Sequence, residues 1–142
     1  MSIWEQEIRE LLPELDLARE RGVALKGIYF GERPPYDSLV PHRRIQRYMA
    51  EKKQRYISII IDGRHAVSGV VSRGDDSKVT WTRDEGFIEI SEDYIAHDLL
   101  VNLYSASLTP AEYKRYEAFA DRVHNQYFHY TREQFAAFRT LE

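Results

Sequence analysis

The chain has 142 residues, 43% hydrophobic and 30% charged, with a formal net charge of −3 and no cysteine. That balance suits a single soluble domain, residues 1–142, able to bury its own core. It excludes disulfide scaffolds, thiolate metal sites, iron–sulfur clusters and cysteine nucleophiles.

The first residues carry no basic stretch followed by an apolar run, so no signal peptide is expected. The first helix opens on Ser2 as N-cap with Glu5 three residues on, a capping box. Trp4, Ile8, Leu11, Leu12 and Leu15 give it an apolar face at helical spacing. Pro13 should kink it or start a second helix, because proline removes a backbone donor. Gly22 is the natural C-cap.

Val23 to Phe30 reads as a strand and the Pro34-Pro35 region as a loop. Pro41 then suits the first turn of a helix over 41–54, striped by Ile45, Tyr48 and Met49. Tyr56 to Ile61 and Ala66 to Val71 flank Asp62-Gly63, a strong hairpin signal. The first of these strands should be internal, since so apolar an edge invites aggregation. Lys78 to Arg83 is a further strand, and Asp84-Glu85-Gly86 turns into another at Phe87 to Ile90.

From Ser91 the pattern is helical. Ile95, Leu99, Leu100, Leu103 and Tyr104 share one face, and Thr109-Pro110-Ala111-Glu112 opens the next helix with a cap, a first-turn proline and a capping glutamate. Thr131 and Gln134 repeat the box before a last helix carrying Phe135 and Phe138. The expected fold is α+β, in the order α-β-α-β-β-β-β-α-α-α. It has an antiparallel meander of four to five strands, with the N-terminal helix and three C-terminal helices packed on one face.

Motifs that would carry chemistry are weak. Neither GxxxxGK[ST] nor GxGxxG follows a strand, and Ser68 lies within a strand rather than at a nucleophile elbow, so no cofactor is expected. Asp93 and His97 stand four apart, a spacing two metal ligands can use, but no HExxH context accompanies them, so no metal is assigned. Glu89, Glu92 and Asp93 offer paired carboxylates, which read as a solvated acidic rim ahead of a catalytic pair. His65, beside Arg64 and near Arg73, has the composition of a metal-independent nuclease or other hydrolase. Arg73-Gly74-Asp75 reads as an ordinary turn.

Charge is unevenly distributed. Arg43, Arg44, Arg47, Lys52, Lys53 and Arg55 crowd one segment, whereas Asp84 to Asp98 is acidic. The basic helix, with Tyr48 beside it, has the makings of a nucleic-acid contact, which the net negative charge of the chain opposes.

Ten of the eighteen aromatic residues fall between Tyr94 and Phe138. Tyr113, Tyr116, Ala120, Val123 and Tyr127 recur at spacings of three and four, a seam built largely of tyrosine. Core packing accounts for such a seam too, but Phe119, Phe128, Tyr130, Phe135 and Phe138 compete for the same interior. Elimination therefore favours a small cytoplasmic binding protein of inhibitor, immunity or adaptor type over an enzyme. Its partner is a protein or a second copy of itself, with no membrane involved. Tyr113, Tyr116 and Tyr127 supply the contact, while Arg43, Arg44 and Arg47 or the acidic rim steer encounter. The hydrolase using His65 and a nucleic-acid binder using the basic helix 41–54 are the alternatives.

Overall fold

The computed structural model describes residues 1–45, 54–72 and 76–127. The chain divides into two compact units, Met1–Leu103 and Tyr104–Glu142. Six strands are described: β1 (Ser2–Trp4), β2 (Gly27–Phe30), β3 (Leu39–Pro41), β4 (Arg55–Ile61), β5 (His65–Val71) and β6 (Lys78–Thr82). The described helices are α1 (Glu5–Glu20), α2 (Glu85–Ser107) and α3 (Pro110–Tyr127). The α+β class is as expected.

The sheet runs β3-β2-β1-β4-β5-β6. Half of it is the expected antiparallel meander: β4 pairs with β5 and β5 with β6 around the Asp62-Gly63 turn. Both turn residues have positive φ, 52° and 61°, and the Arg64 amide donates to the Ile61 carbonyl at 3.0 Å. A turn of that hand matches the twist of the strands it joins. The other half is parallel, β1 to β2 and β2 to β3, so the sheet is mixed rather than an antiparallel meander throughout. The helix α1 makes the crossover that parallel β1 and β2 require.

Several expected elements change identity. Ser2 is no N-cap: Ser2–Trp4 is a buried strand, and α1 starts at Glu5 behind Trp4 without a side-chain cap. Three residues flanked by other strands gain enough ladder bonds and burial to override the local capping pattern. Pro13 does not end the helix, which runs on to Glu20. It sits on the solvent side, where water can satisfy the Arg9 carbonyl that loses its donor. Pro41 closes the edge strand β3 instead of opening a helix, a place where the missing N–H costs no internal ladder bond. Arg43 and Arg44 of the expected 41–54 helix lie in a turn, whereas its residues 46–53, and the last helix with Phe135 and Phe138, lie outside the described residues.

Phe87 to Ile90 is helical, not a fourth meander strand. Asp84 caps α2, its carboxylate accepting from the Phe87 amide at 2.8 Å and its carbonyl from the Ile88 amide at 3.0 Å. The C-terminus of α1 ends as expected at Gly22, with φ 85°. The amides of Gly22 and Val23 donate to the carbonyls of Arg19 and Ala18, a Schellman pair.

The helices of the first unit do not share one face of the sheet. Alternation along β1 and β2 sends Ile3 and Tyr29 to one side, where they pack with Ile8 and Leu39 and against Leu12 and Leu15 of α1. Trp4, Ile28 and Phe30 point to the other side, where Leu99 of α2 meets them. With both faces covered, β1 and β2 are buried throughout, and no alternation of apolar and charged residues warns of a second layer. Each fully buried ring or branched chain there contributes about 1.5–3 kcal/mol.

In the second unit, α3 opens with the expected capping box. The Glu112 carboxylate accepts from the Thr109 amide at 2.9 Å and from its hydroxyl at 2.7 Å, and these bonds hold the Glu112 carboxyl below its ordinary pKa. No described helix is long and apolar enough to cross a membrane.

Candidate functional site

Among the described residues, two concave surfaces are lined by several aromatic rings each. The first lies in the first unit, on the face of the sheet that α2 covers. Ser58 of β4 and Ser68 of β5 are directly paired in the ladder, and their hydroxyls are hydrogen-bonded at 2.7 Å. Phe87, Ile90 and Tyr94 recur along α2 at spacings of three and four and so stand on one side of it. Between these strands and the helix runs a groove of about 440 Å³, with Tyr56 and Ser91 also in its wall.

The end of α2 beyond the groove is fixed by buried polar bonds. Asn102 takes the Arg43 amide on its side-chain oxygen at 2.8 Å and donates to the Asp98 carbonyl at 2.8 Å. Burial raises the Asp98 carboxyl above its ordinary value, while a hydrogen bond from the Tyr94 hydroxyl works in the opposite direction. The turn after β3 carries His42, whose ring stacks on Phe30 with centroids 4.6 Å apart. Burial first, and the nearby Arg44 charge second, lower His42 from 6.5 to about 4. It is therefore neutral at pH 7.

The second surface belongs to the second unit. Tyr116 packs edge-on to Tyr104 at 6.5 Å and tilted to Tyr113 at 6.0 Å. With Leu108, Glu112, Arg115 and Phe119, Tyr104 and Tyr116 line a concavity of about 560 Å³. Phe119 is 55% exposed and Tyr127 69% exposed, whereas Tyr113 and Tyr116 are half-buried. The Arg122 guanidinium lies 5.5 Å from the centre of the Phe119 ring.

The residues singled out from sequence are dispersed. Tyr113, Tyr116 and Tyr127 lie along α3. Arg43 and Arg44 are in the turn following β3, in the first unit, and Arg47 lies outside the described residues. His65 stacks on Trp81 at 5.6 Å, on strands β5 and β6, and lines neither concavity. Arg64, beside it, is exposed, and Arg73 lies outside the described residues. Asp93 and His97 are exposed on α2, as are Glu89 and Glu92. Among the described residues no three His, Asp or Glu side chains converge as metal ligands would.

The groove in the first unit has no counterpart in the sequence reading. A strand over Phe87 to Ile90 separates those two side chains from Tyr94, which falls on the helix expected from Ser91. Asp84 as an N-cap, followed by apolar residues at 87, 90 and 94, is the signal that would have joined them.

Among curated proteins, the chain is similar to the uncharacterized protein YrhO of Bacillus subtilis (strain 168), 29% identical over 100 residues. The match covers 70% of this chain and 36% of that relative, so the chain corresponds to about a third of its length. No protein-family profile and no solved structure matches the chain.

Proposed function

We propose that this protein is a cytoplasmic binding module of inhibitor, immunity or adaptor type that engages a protein partner through the aromatic surface of α3. The observation that carries the reading is the ring contact of Tyr116 with both Tyr104 and Tyr113, beside an exposed Phe119. Rings held against one another lose little further rotamer entropy on binding, and their hydroxyls can bond across an interface. Arg115 and Glu112 at the margin supply the polar rim that such patches carry. In this reading Tyr116 and Phe119 are the anchors, Tyr113 and Tyr127 extend the contact, and Arg43, Arg44 and Arg47 steer an acidic partner.

The test is capture from the native host with the wild-type chain and with a Tyr116→Ala/Phe119→Ala/Tyr127→Ala variant, each checked for unchanged helicity. A protein retained by the wild type and lost with the variant supports the reading. Equal retention by both removes it. Solution mass measured on both chains covers the case in which the partner is a second copy: a dimer that the variant dissolves identifies the partner as self. Replacing Arg43 and Arg44 with Ala should slow association and weaken its salt dependence while leaving dissociation nearly unchanged.

A further inference from the structure

The groove between β4–β5 and the first half of α2 is lined in a way that neither core packing nor the α3 surface explains. Its floor is hydroxylic. Ser58 is 6% exposed and Ser91 8% exposed, and Ser68 bonds Ser58 across the ladder. A wall facing only the protein's own interior would be expected to carry Ala or Val there, because each buried hydroxyl needs a partner. A bonded serine pair uses one of its two protons, leaving one donor and several lone pairs for a third group.

The walls are apolar and aromatic: Tyr56, Phe87, Ile90 and Tyr94. Ile90, an apolar side chain at the mouth, is 72% exposed. Among the described residues no charged side chain lines the groove, although α2 is strongly acidic. Its spacing explains the separation, since 87, 90, 91 and 94 share one face while Glu89, Glu92 and Asp93 project elsewhere. An ion placed inside would be partly desolvated, and no described side chain of the lining offers it a counter-charge. The volume of about 440 Å³ falls in the range of small-molecule sites.

We propose that this groove binds a small uncharged molecule bearing a hydroxyl or carbonyl at one end and an apolar, preferably aromatic, body. The polar end meets the Ser58–Ser68 pair, and the body lies between Tyr94, Phe87 and Tyr56. This site is separate from the α3 surface, and either can fail without the other.

The experiment compares three isologous probes, 3-phenylpropan-1-ol, 3-phenylpropanoate and 3-phenylpropylammonium, titrated into the isotope-labelled full chain and followed by amide NMR shifts. The alcohol should give saturable shifts in residues 56–58, 68–69 and 87–94, with both charged probes at least tenfold weaker. Ser58→Val/Ser68→Val should weaken the alcohol by about tenfold. Ile90→Glu, at an exposed position that leaves the fold intact, should weaken the alcohol and strengthen the ammonium, and it decides the matter if the serine variant does not fold. Absence of saturable shifts, equal binding of the three probes, or shifts confined to α3 would overturn the proposal.

Discussion

Trp4 and Phe30 are register partners in the parallel β1–β2 pair, and their rings stack with centroids 4.4 Å apart and planes 18° apart. The indole N–H donates to the Tyr56 carbonyl at 2.9 Å, so the same residue also ties β1 toward β4. His42 continues the stack on the far side of Phe30. Three rings from β1, β2 and the turn after β3 thus form one column on the α2 side of the sheet, at the seam where its parallel and antiparallel halves meet.

That column makes stability sensitive to mild acid. His42 titrates near 4 in the folded chain against 6.5 when unfolded, so the unfolded state binds the proton first. The stabilisation is complete above pH 6.5 and is lost as the pH falls from 6.5 toward 4. The full shift corresponds to about 3 kcal/mol, and to about 2 kcal/mol once the water reaching the ring is allowed for. Urea unfolding of wild type and His42→Phe at pH 7.5 and 4.5 measures it. The wild type should lose about 2 kcal/mol more than the variant between the two pH values. Equal losses would show that the ring is solvated.

The Glu7–Arg55 pair should be costly to break and cheap to replace. Both Nε and a terminal nitrogen of Arg55 lie 2.8 Å from one Glu7 oxygen, and the side chains are only 14% and 17% exposed. Glu7→Ala strands a guanidinium between α1 and β4 and should cost about 3 kcal/mol. Replacing both residues with Met should return stability to within about 1 kcal/mol of wild type, because the buried charges vanish together. Denaturant midpoints of Glu7→Ala, Glu7→Met, Arg55→Met and the double Met variant measure both costs, and the three Met variants close the cycle. A Glu7→Ala cost below 1 kcal/mol would mean that water already screens the pair.

How legible each part was in the sequence follows from how local its cause is. The Asp62-Gly63 turn, the Gly22 C-cap and the Thr109–Glu112 box depend on a few adjacent residues, and all three stand where they were expected. Ser2–Trp4 looks like a helix start because Ser2 and Glu5 have the right spacing, yet its structure is decided by Ile28, Tyr29 and Phe30, more than twenty residues away. Pro41 reads as a helix opener by the same local rule and ends in a ladder with Tyr29. The placement of α1 and α2 on opposite faces was hidden because strands buried on both sides do not alternate. The tyrosines of α3 were legible from periodicity alone, whereas the groove needed three elements in register before its serines and rings shared a wall.

Gly69 is held to glycine by the approach of β6. A Cβ at this position would lie 2.7 Å from the Val79 Cα and closer still to the Lys78 carbonyl oxygen. Both obstacles are backbone, which cannot rotate aside as a side chain can. Gly69→Ala should therefore cost at least about 2 kcal/mol and loosen the β5–β6 ladder before the rest of the sheet. Amide exchange is the direct measure: protection should fall over 78–82 while 28–30 keep theirs. Uniform loss across both strands would mean that the sheet opens as one unit.

Pro13 offers the opposite prediction, a substitution that stabilises. It sits in the ninth position of α1, where it leaves the Arg9 carbonyl without its helical donor and its ring crowds that carbonyl. An interior proline is unfavourable by about 3 kcal/mol relative to alanine. Part of that is returned, since proline restricts the unfolded chain by about 1 kcal/mol, and part is already relieved by water on the exposed side. Pro13→Ala should accordingly gain about 1–2 kcal/mol, raising the melting temperature by about 3–8 °C. The side chain is exposed, so no core contact is lost to confuse the result. A lower melting temperature for Pro13→Ala would show that restricting the unfolded chain outweighs the strain in the helix.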